Sequence, residues 1–196
     1  METEGLKLSE TKKSYAGIPE ALFVDDVDKF MSLEENSNVQ MVLKKLDEQH
    51  SKYKFMEMNL VTKKRRLKYQ IPDLEQSLQM IKLLKKQQSL DTPGSIETQF
   101  MLSEQAYLKA TIPPTDKVCL WLGANVMLEY SLDDAAGLLT KNTEAAKRNL
   151  GYIEHDLDFL RDQLTTTEVN MARVFNWDVK KRQAEKLSSG ATSSSS

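Results

Sequence analysis

Apolar residues recur at every seventh position from Val39 through Leu46, Tyr53, Leu60, Leu67, Leu74 and Ile81. A second row at Leu43, His50, Glu57, Lys64, Ile71 and Leu78 interleaves with it in a 3-4 spacing, apolar at both ends and polar in the middle. That pattern is the seam of a coiled coil, in which a seven-residue repeat keeps one stripe turned toward a partner helix. It predicts a helix of about 50 residues, roughly 75 Å long at 1.5 Å per residue. Pro72 lies inside it and should kink it, since proline removes a backbone donor and crowds the preceding turn.

A second seam runs through Ala136, Leu139, Thr143, Ala146, Leu150, Ile153, Leu157, Leu160, Leu164, Thr167, Met171 and Val174. Ser131 or Asp133 suits its N-cap, no proline follows, and the pattern fades after Trp177 into Lys180-Lys-Arg182. Gly137 and Gly151 each cost about 1 kcal/mol relative to alanine, which burial of the seam must offset.

Between the two helices Asp91-Thr-Pro-Gly94 breaks the helical period, and the spacing then changes to two. Four short strands are expected at Gln99 to Leu102, Tyr107 to Ile112, Lys117 to Leu122 and Val126 to Tyr130, giving two β-hairpins. The third sets Lys117, Cys119 and Trp121 against Val118, Leu120 and Leu122, and its neighbours are also large and apolar, so these strands read as buried on both faces. Ahead of the first long helix, Ile18-Pro-Glu-Ala21 with Phe23, Val27 and Phe30 fits a short amphipathic helix, broken near Asn36-Ser-Asn38.

The resulting fold class is mainly α: a long antiparallel coiled-coil helical hairpin with two β-hairpins at its base. Its expected divisions are an unstructured tail at 1–17, a short helix and first coiled-coil helix at 18–92, an assembly module at 93–131, the second coiled-coil helix at 132–186, and a Ser-rich unstructured tail at 187–196. The register that aligns the seams places Leu43 near Val174, Leu60 near Leu157 and Ile81 near Ala136.

Composition supports long helices and little loop, with 7 Gly and 5 Pro in 196 residues. A net charge of −2 from 27 basic and 29 acidic side chains offers no field to draw in nucleic acid or an anionic membrane, so neither is expected as a partner. Glu2, Glu4, Lys7 and Glu10 interrupt any signal-peptide core, which favours the cytoplasm, with the nucleus as an alternative. The lone Cys119 makes no disulfide within the chain and reads as a small buried hydrophobe.

Four short strands with open edges and an uncovered apolar face call for other chains to complete them. The residues expected to do so are Phe100, Leu102, Leu108, Ile112, Val118, Leu120, Trp121, Val126 and Leu128.

Helix, β-hairpins, helix is a plan that resembles the prefoldin subunits, and two hairpins resemble their α type. The resemblance covers about residues 18 to 186. It rests on Gly17-Ile-Pro-Glu-Ala21, Leu46-Asp-Glu-Gln49, Lys52-Tyr-Lys-Phe-Met-Glu57, Asp156-Leu-Asp-Phe-Leu-Arg-Asp-Gln163 and, most specifically, Pro113-Pro-Thr-Asp-Lys-Val-Cys-Leu-Trp-Leu-Gly-Ala-Asn-Val-Met-Leu-Glu-Tyr130. It implies a prefoldin-like hexamer with one further α-type and four β-type subunits, strands pooled into β-barrels, and free coiled-coil tentacles. It also implies unfolded actin and tubulin as clients, passed without ATP to the cytosolic group II chaperonin, and the von Hippel-Lindau protein as a candidate partner.

At the end of the hairpin away from the strands, Phe23, Val27, Phe30, Val39, Met41, Val42, Phe175, Trp177 and Val179 either contact clients or cap the coiled coil. The alternative function is a coiled-coil adaptor, such as one linking a ubiquitin-ligase substrate receptor to its partners. A plain scaffold, however, needs no strand module with large apolar residues.

Enzyme signatures are missing: no GxxxxGK[ST], no HExxH, no GxSxG and no Cys/His metal spacing, so no catalysis and no cofactor is expected. His50 and His155 stand isolated on helices and read as surface or seam-edge residues. Lys63-Lys-Arg-Arg66 is expected to be solvated or to pair with Glu154, Asp156, Asp158 and Asp162 on the second helix, and Trp121 to anchor the strand core.

Overall fold

The computed structural model describes residues 14–36, 38–90 and 94–191. Helix α1 spans Val27–Met31, α2 Val39–Gln88 and α3 Leu132–Ala191, with strands β1 (Ile96–Ser103), β2 (Ala106–Ile112), β3 (Lys117–Gly123) and β4 (Val126–Ser131) between the long helices. Two compact units result, one holding Arg65–Leu150 and the other the chain up to Lys64 together with Gly151 onward. Of the expected tails, 1–13 and 192–196 lie outside the described residues, as do 91–93 of the expected breaker. Helix α3 continues past the expected limit of 186 to Ala191.

The helix starts follow their caps. Asn38 Oδ1 accepts from the N–H groups of Gln40 (3.0 Å) and Met41 (3.3 Å), satisfying donors that have no partner inside the first turn of α2. Ser131 Oγ accepts from Asp134 N–H at 3.1 Å, the N-cap bond of α3, and donates to the Asp134 carboxylate at 2.7 Å. Helix α2 continues across Pro72, whose neighbourhood is exposed, so water can serve the carbonyl that proline leaves without a donor.

The strand unit packs one face of each hairpin onto the helices. Ile81 and Leu84 of α2 meet Leu132, Ala135 and Leu139 of α3, and Ile96, Ile112, Val118, Leu120 and Tyr130 close over them. Hairpin β1–β2 pairs Phe100 with Leu108, and hairpin β3–β4 pairs Leu120 with Leu128. They remain two separate two-stranded sheets. No strand residue is fully buried: Ile96, Ile112, Val118, Leu120 and Tyr130 are half-buried on the helices and most of the rest is exposed, not buried on both faces as the apolar run predicts, because the helices reach only the ends of the hairpins nearest them.

In the helical unit α2 and α3 run antiparallel in the expected register. Leu60 shares a core with Leu157, Leu160 and Leu164, Leu43 shares one with Val174, and in the strand unit Ile81 packs with Ala136. Cross-helix polar contacts flank the seam, an ion pair of Lys64 with Glu154 at 3.0 Å and a hydrogen bond between His50 Nε2 and Glu168 Oε1 at 2.9 Å. Exposed pairs of this kind contribute at most about 1 kcal/mol each.

The expected helix beginning at Ile18 is absent up to Asp26. Residues 14–25 form a strap along α3, a turn at 14–17 closed by Gly17 N–H donating to the Ser14 carbonyl at 3.5 Å and then an extended run from Ile18 to Val24. Only Val27–Met31, which follows, is helical, capped by Asp26 Oδ1 accepting from Lys29 N–H at 3.0 Å. The strap buries Ile18, Ala21 and Val24, a period of three that suits an extended backbone better than a helix.

Candidate functional site

Two surfaces are uncovered, one in each unit. In the strand unit, Phe100, Leu102, Leu108, Trp121, Val126 and Leu128 are 44–61% exposed. Ile112, Val118 and Leu120, expected beside them as assembly residues, instead pack partly buried on the helix core. Alternation turns Cys119 and Trp121 away from the helix-facing Val118 and Leu120, whereas Phe100 and Leu108 share the face of Ile96 and Ile112 and are exposed because they lie farther along the hairpin toward its turn. Leu128, the cross-strand partner of Leu120, is 47% exposed.

Cys119 is accordingly exposed, not buried as its residue type predicts, since its strand position sends it outward with Lys117 and Trp121. Lys117 Nζ lies 2.8 Å from Glu129 Oε1, and the hydrogen bond to Glu129, followed by that carboxylate's charge, raises the lysine pKa. Met101, Tyr107, Leu122 and Met127 are exposed as well, with Met101 and Tyr107 on the opposite face of their hairpin from Phe100 and Leu108. All four lie inside the expected strand runs, which is the signal in the sequence that finds them.

Each hairpin has two strands and thus two open edges, along with an exposed apolar face. Such a surface is a template for further strands.

In the helical unit the nine apolar residues divide. Val42 is buried with Met31 and Val174, and Val27, Phe30, Val39 and Trp177 pack against them. Trp177 is further fixed by donating from Nε1 to Asp28 Oδ1 at 2.6 Å, with Lys181 over its ring at 5.0 Å. Phe23, Met41 and Phe175 are more than half exposed, and Val179 is half-buried. Arg173 lies 5.2 Å from the Phe23 ring centre. Leu22, 83% exposed, and Leu33 join this surface without having stood out in the sequence. Beside them opens a groove of about 690 Å3 lined by Leu22, Phe23, Phe30, Leu33 and Leu46.

The charged groups are spoken for in part. Of the acids expected to meet the basic run, Glu154 pairs with Lys64, Asp158 lies 3.4 Å from Arg161, and Asp156 is buried beneath the strap, where it accepts from the N–H groups of Tyr15 and Ala16. His50 and His155 are half-buried, the first on Glu168 and the second edge-on to the Tyr15 ring at 5.0 Å. Among the described residues no group of three or more His, Cys, Asp and Glu could hold a metal ion, and no helix is long and apolar enough to cross a membrane. What the geometry offers is apolar surface and backbone-pairing edges.

Comparison with known proteins matches residues 53–177 to the prefoldin subunit family. Prefoldin subunit 3 of Mus musculus is 59% identical over 174 residues, covering 89% of this chain and 88% of that protein. Prefoldin subunit 3 of Drosophila melanogaster is 56% identical over 188 residues, covering 96% and 94%. Among solved structures, filamentous PFD from Methanocaldococcus jannaschii has a TM-score of 0.46 at 20% identity, covering 59% of this chain and 91% of that one.

Proposed function

Since this chain belongs to the prefoldin family and is a subunit of that chaperone, we propose that it helps hold non-native polypeptides, actin and tubulin among them, without ATP. In this reading it works in the cytosol as one of two α-type subunits beside four β-type subunits, and releases its clients to the group II chaperonin. The observation that carries the reading is the open apolar strand face in a chain that also leaves Leu22, Phe23, Met41 and Phe175 exposed in its other unit. The strand face suits permanent pairing with neighbouring subunits, because unpaired edges and large side chains together define a register. The second surface suits clients. Adaptable Met and aromatic groups bind many sequences weakly, and several subunits acting on one chain turn weak contacts into useful retention.

Two sets of substitutions in the co-expressed complex test this. Phe100→Glu with Leu108→Glu, which puts like charges on cross-strand partners, is expected to exclude the subunit from the hexamer by native mass. Phe23→Ser, Met41→Ser and Phe175→Ser together are expected to leave the hexamer intact and weaken capture of denatured actin about threefold to tenfold, since the other subunits still hold it. Unchanged capture and unchanged transfer to chaperonin would remove the client role from this surface.

A further inference from the structure

On α3, Asp156, Gln163 and Asn170 recur at every seventh residue, so they form one stripe along the helix beside the apolar seam. All three are polar, yet they are only 3, 6 and 2% exposed. Burial of such groups is tolerated when each finds a partner; apart from the Phe159 carbonyl, which accepts from Gln163 Nε2 at 3.4 Å, and His155, whose Nδ1 lies 3.5 Å from Asp156 Oδ1, the partners here are main-chain atoms of the strap. Asp156 accepts from Tyr15 N–H (2.8 Å) and Ala16 N–H (2.9 Å). Gln163 accepts from Ala21 N–H (2.7 Å), and Asn170 both accepts from Val24 N–H (2.9 Å) and donates to the Leu22 carbonyl (2.8 Å). From α2, Tyr53 donates its hydroxyl proton to the Pro19 carbonyl at 2.8 Å.

The spacing is that of an extended chain. From Asp156 to Asn170 the helix rises about 21 Å at 1.5 Å per residue, and the eight steps from Ala16 to Val24 span about 25 Å at polyproline II rise. Gly17, at a positive φ of 69° that side chains disfavour, bends the strap and takes up the slack. The side chains turned inward are modest in size, Ile18, Ala21 and Val24, while Leu22 and Phe23 point away.

Main-chain recognition is indifferent to sequence. Side-chain contacts particular to this segment, the Tyr15 ring stacked on Tyr152 at 4.3 Å and Phe23 under Arg173, lie beside the main-chain bonds. Because every polypeptide presents the same N–H and C=O groups, the main-chain part of the groove can accept an extended chain other than its own. We propose that the stripe Asp156, Gln163 and Asn170, with Tyr53, is a groove for the main chain of extended non-native polypeptide, and that residues 14–25 fill it in cis until displaced. This rests on the client-holding role proposed above and names the site and the feature of the client that it reads. The tethered strap competes at high effective concentration, and a client already held by neighbouring subunits competes on similar terms.

The strap can be loosened without touching the groove. Ala21→Pro with Val24→Pro deletes the two donors to Gln163 and Asn170 and leaves an extended backbone permissible. In the assembled complex this variant is expected to bind a permanently unfolded probe, a reduced and carboxymethylated protein, about tenfold more tightly, the factor that two lost hydrogen bonds allow. Adding Gln163→Ala and Asn170→Ala should abolish the gain. Independently, in the unaltered complex the amides of Ala21 and Val24 should be protected from hydrogen exchange and lose that protection when the probe is added; this measurement decides the matter if the proline variant fails to assemble. Equal affinity in the two complexes, or protection unaltered by a probe that is demonstrably bound, overturns the groove and leaves the client-holding role standing. Absence of probe binding to both complexes overturns both.

Discussion

The hydroxyl of Tyr53, midway along the α2 portion of the helical unit, donates to the carbonyl oxygen of Pro19 at 2.8 Å across 34 residues of sequence. Tyr53 is 1% exposed, its ring packs with Leu60, Leu160 and Leu164, and Gln49 Nε2 donates to the same hydroxyl at 3.0 Å. One side chain thus belongs to the coiled-coil core by its ring and to the strap by its oxygen.

These two attachments separate by substitution. Tyr53→Phe keeps the ring and should cost about 0.5–1.5 kcal/mol, the net value of the hydrogen bond. Tyr53→Ala also empties the core position and should cost about 3–5 kcal/mol. Urea denaturation of the assembled complex followed by circular dichroism reads both, and equal losses for the two variants would show the oxygen to be the dominant anchor.

The turn joining β3 to β4 holds Ala124 at φ 49° and Asn125 at φ 58°, both in the left-handed region. Asparagine tolerates that region and alanine does not, at a cost of about 1 kcal/mol or slightly more. Ala124→Asn is therefore expected to stabilise the chain by about 0.5–1 kcal/mol without altering assembly, as measured by the same denaturation and by native mass. A destabilised variant would mean that the alanine methyl has a partner in the assembled complex.

The Lys117 and Glu129 pair makes a pH-dependent prediction. Its partner raises the lysine pKa above 10.5, so the folded state favours the charged form. The contribution is fully present at neutral pH, below the unfolded value, and fades as pH rises through the higher folded value. Glu129→Gln should return the Lys117 titration toward the ordinary lysine range, followed by NMR at the side-chain carbon next to Nζ. Stability at pH 7 should change little, since the pair is exposed and screened by salt.

Much of this protein was legible from residue order alone. A seven-residue apolar repeat records which stripe of a helix meets a partner, and two such repeats of matched length fixed the antiparallel pair and its register, Leu60 with Leu157 included. The switch from helical spacing to alternation located all four strands, and the turn residues located the hairpins. These are local signals, repeated often enough to be read without knowing what lies opposite.

The strap and the division of the apolar ends were decided only by the tertiary structure. Polar residues at 156, 163 and 170 flank the seam, where charge and amides ordinarily face water, and nothing local tells a solvated Gln163 from one that binds the Ala21 amide 142 residues away. Ile18 to Val24 carries apolar residues at spacings that a short helix also fits. What makes it extended is a set of buried acceptors on another helix, each costly to leave unpaired, and those enter the balance only once the chain has folded. Likewise Val42 and Phe175 look alike as apolar residues near helix ends, and it is packing against Met31 and Val174 that buries the first and leaves the second to solvent.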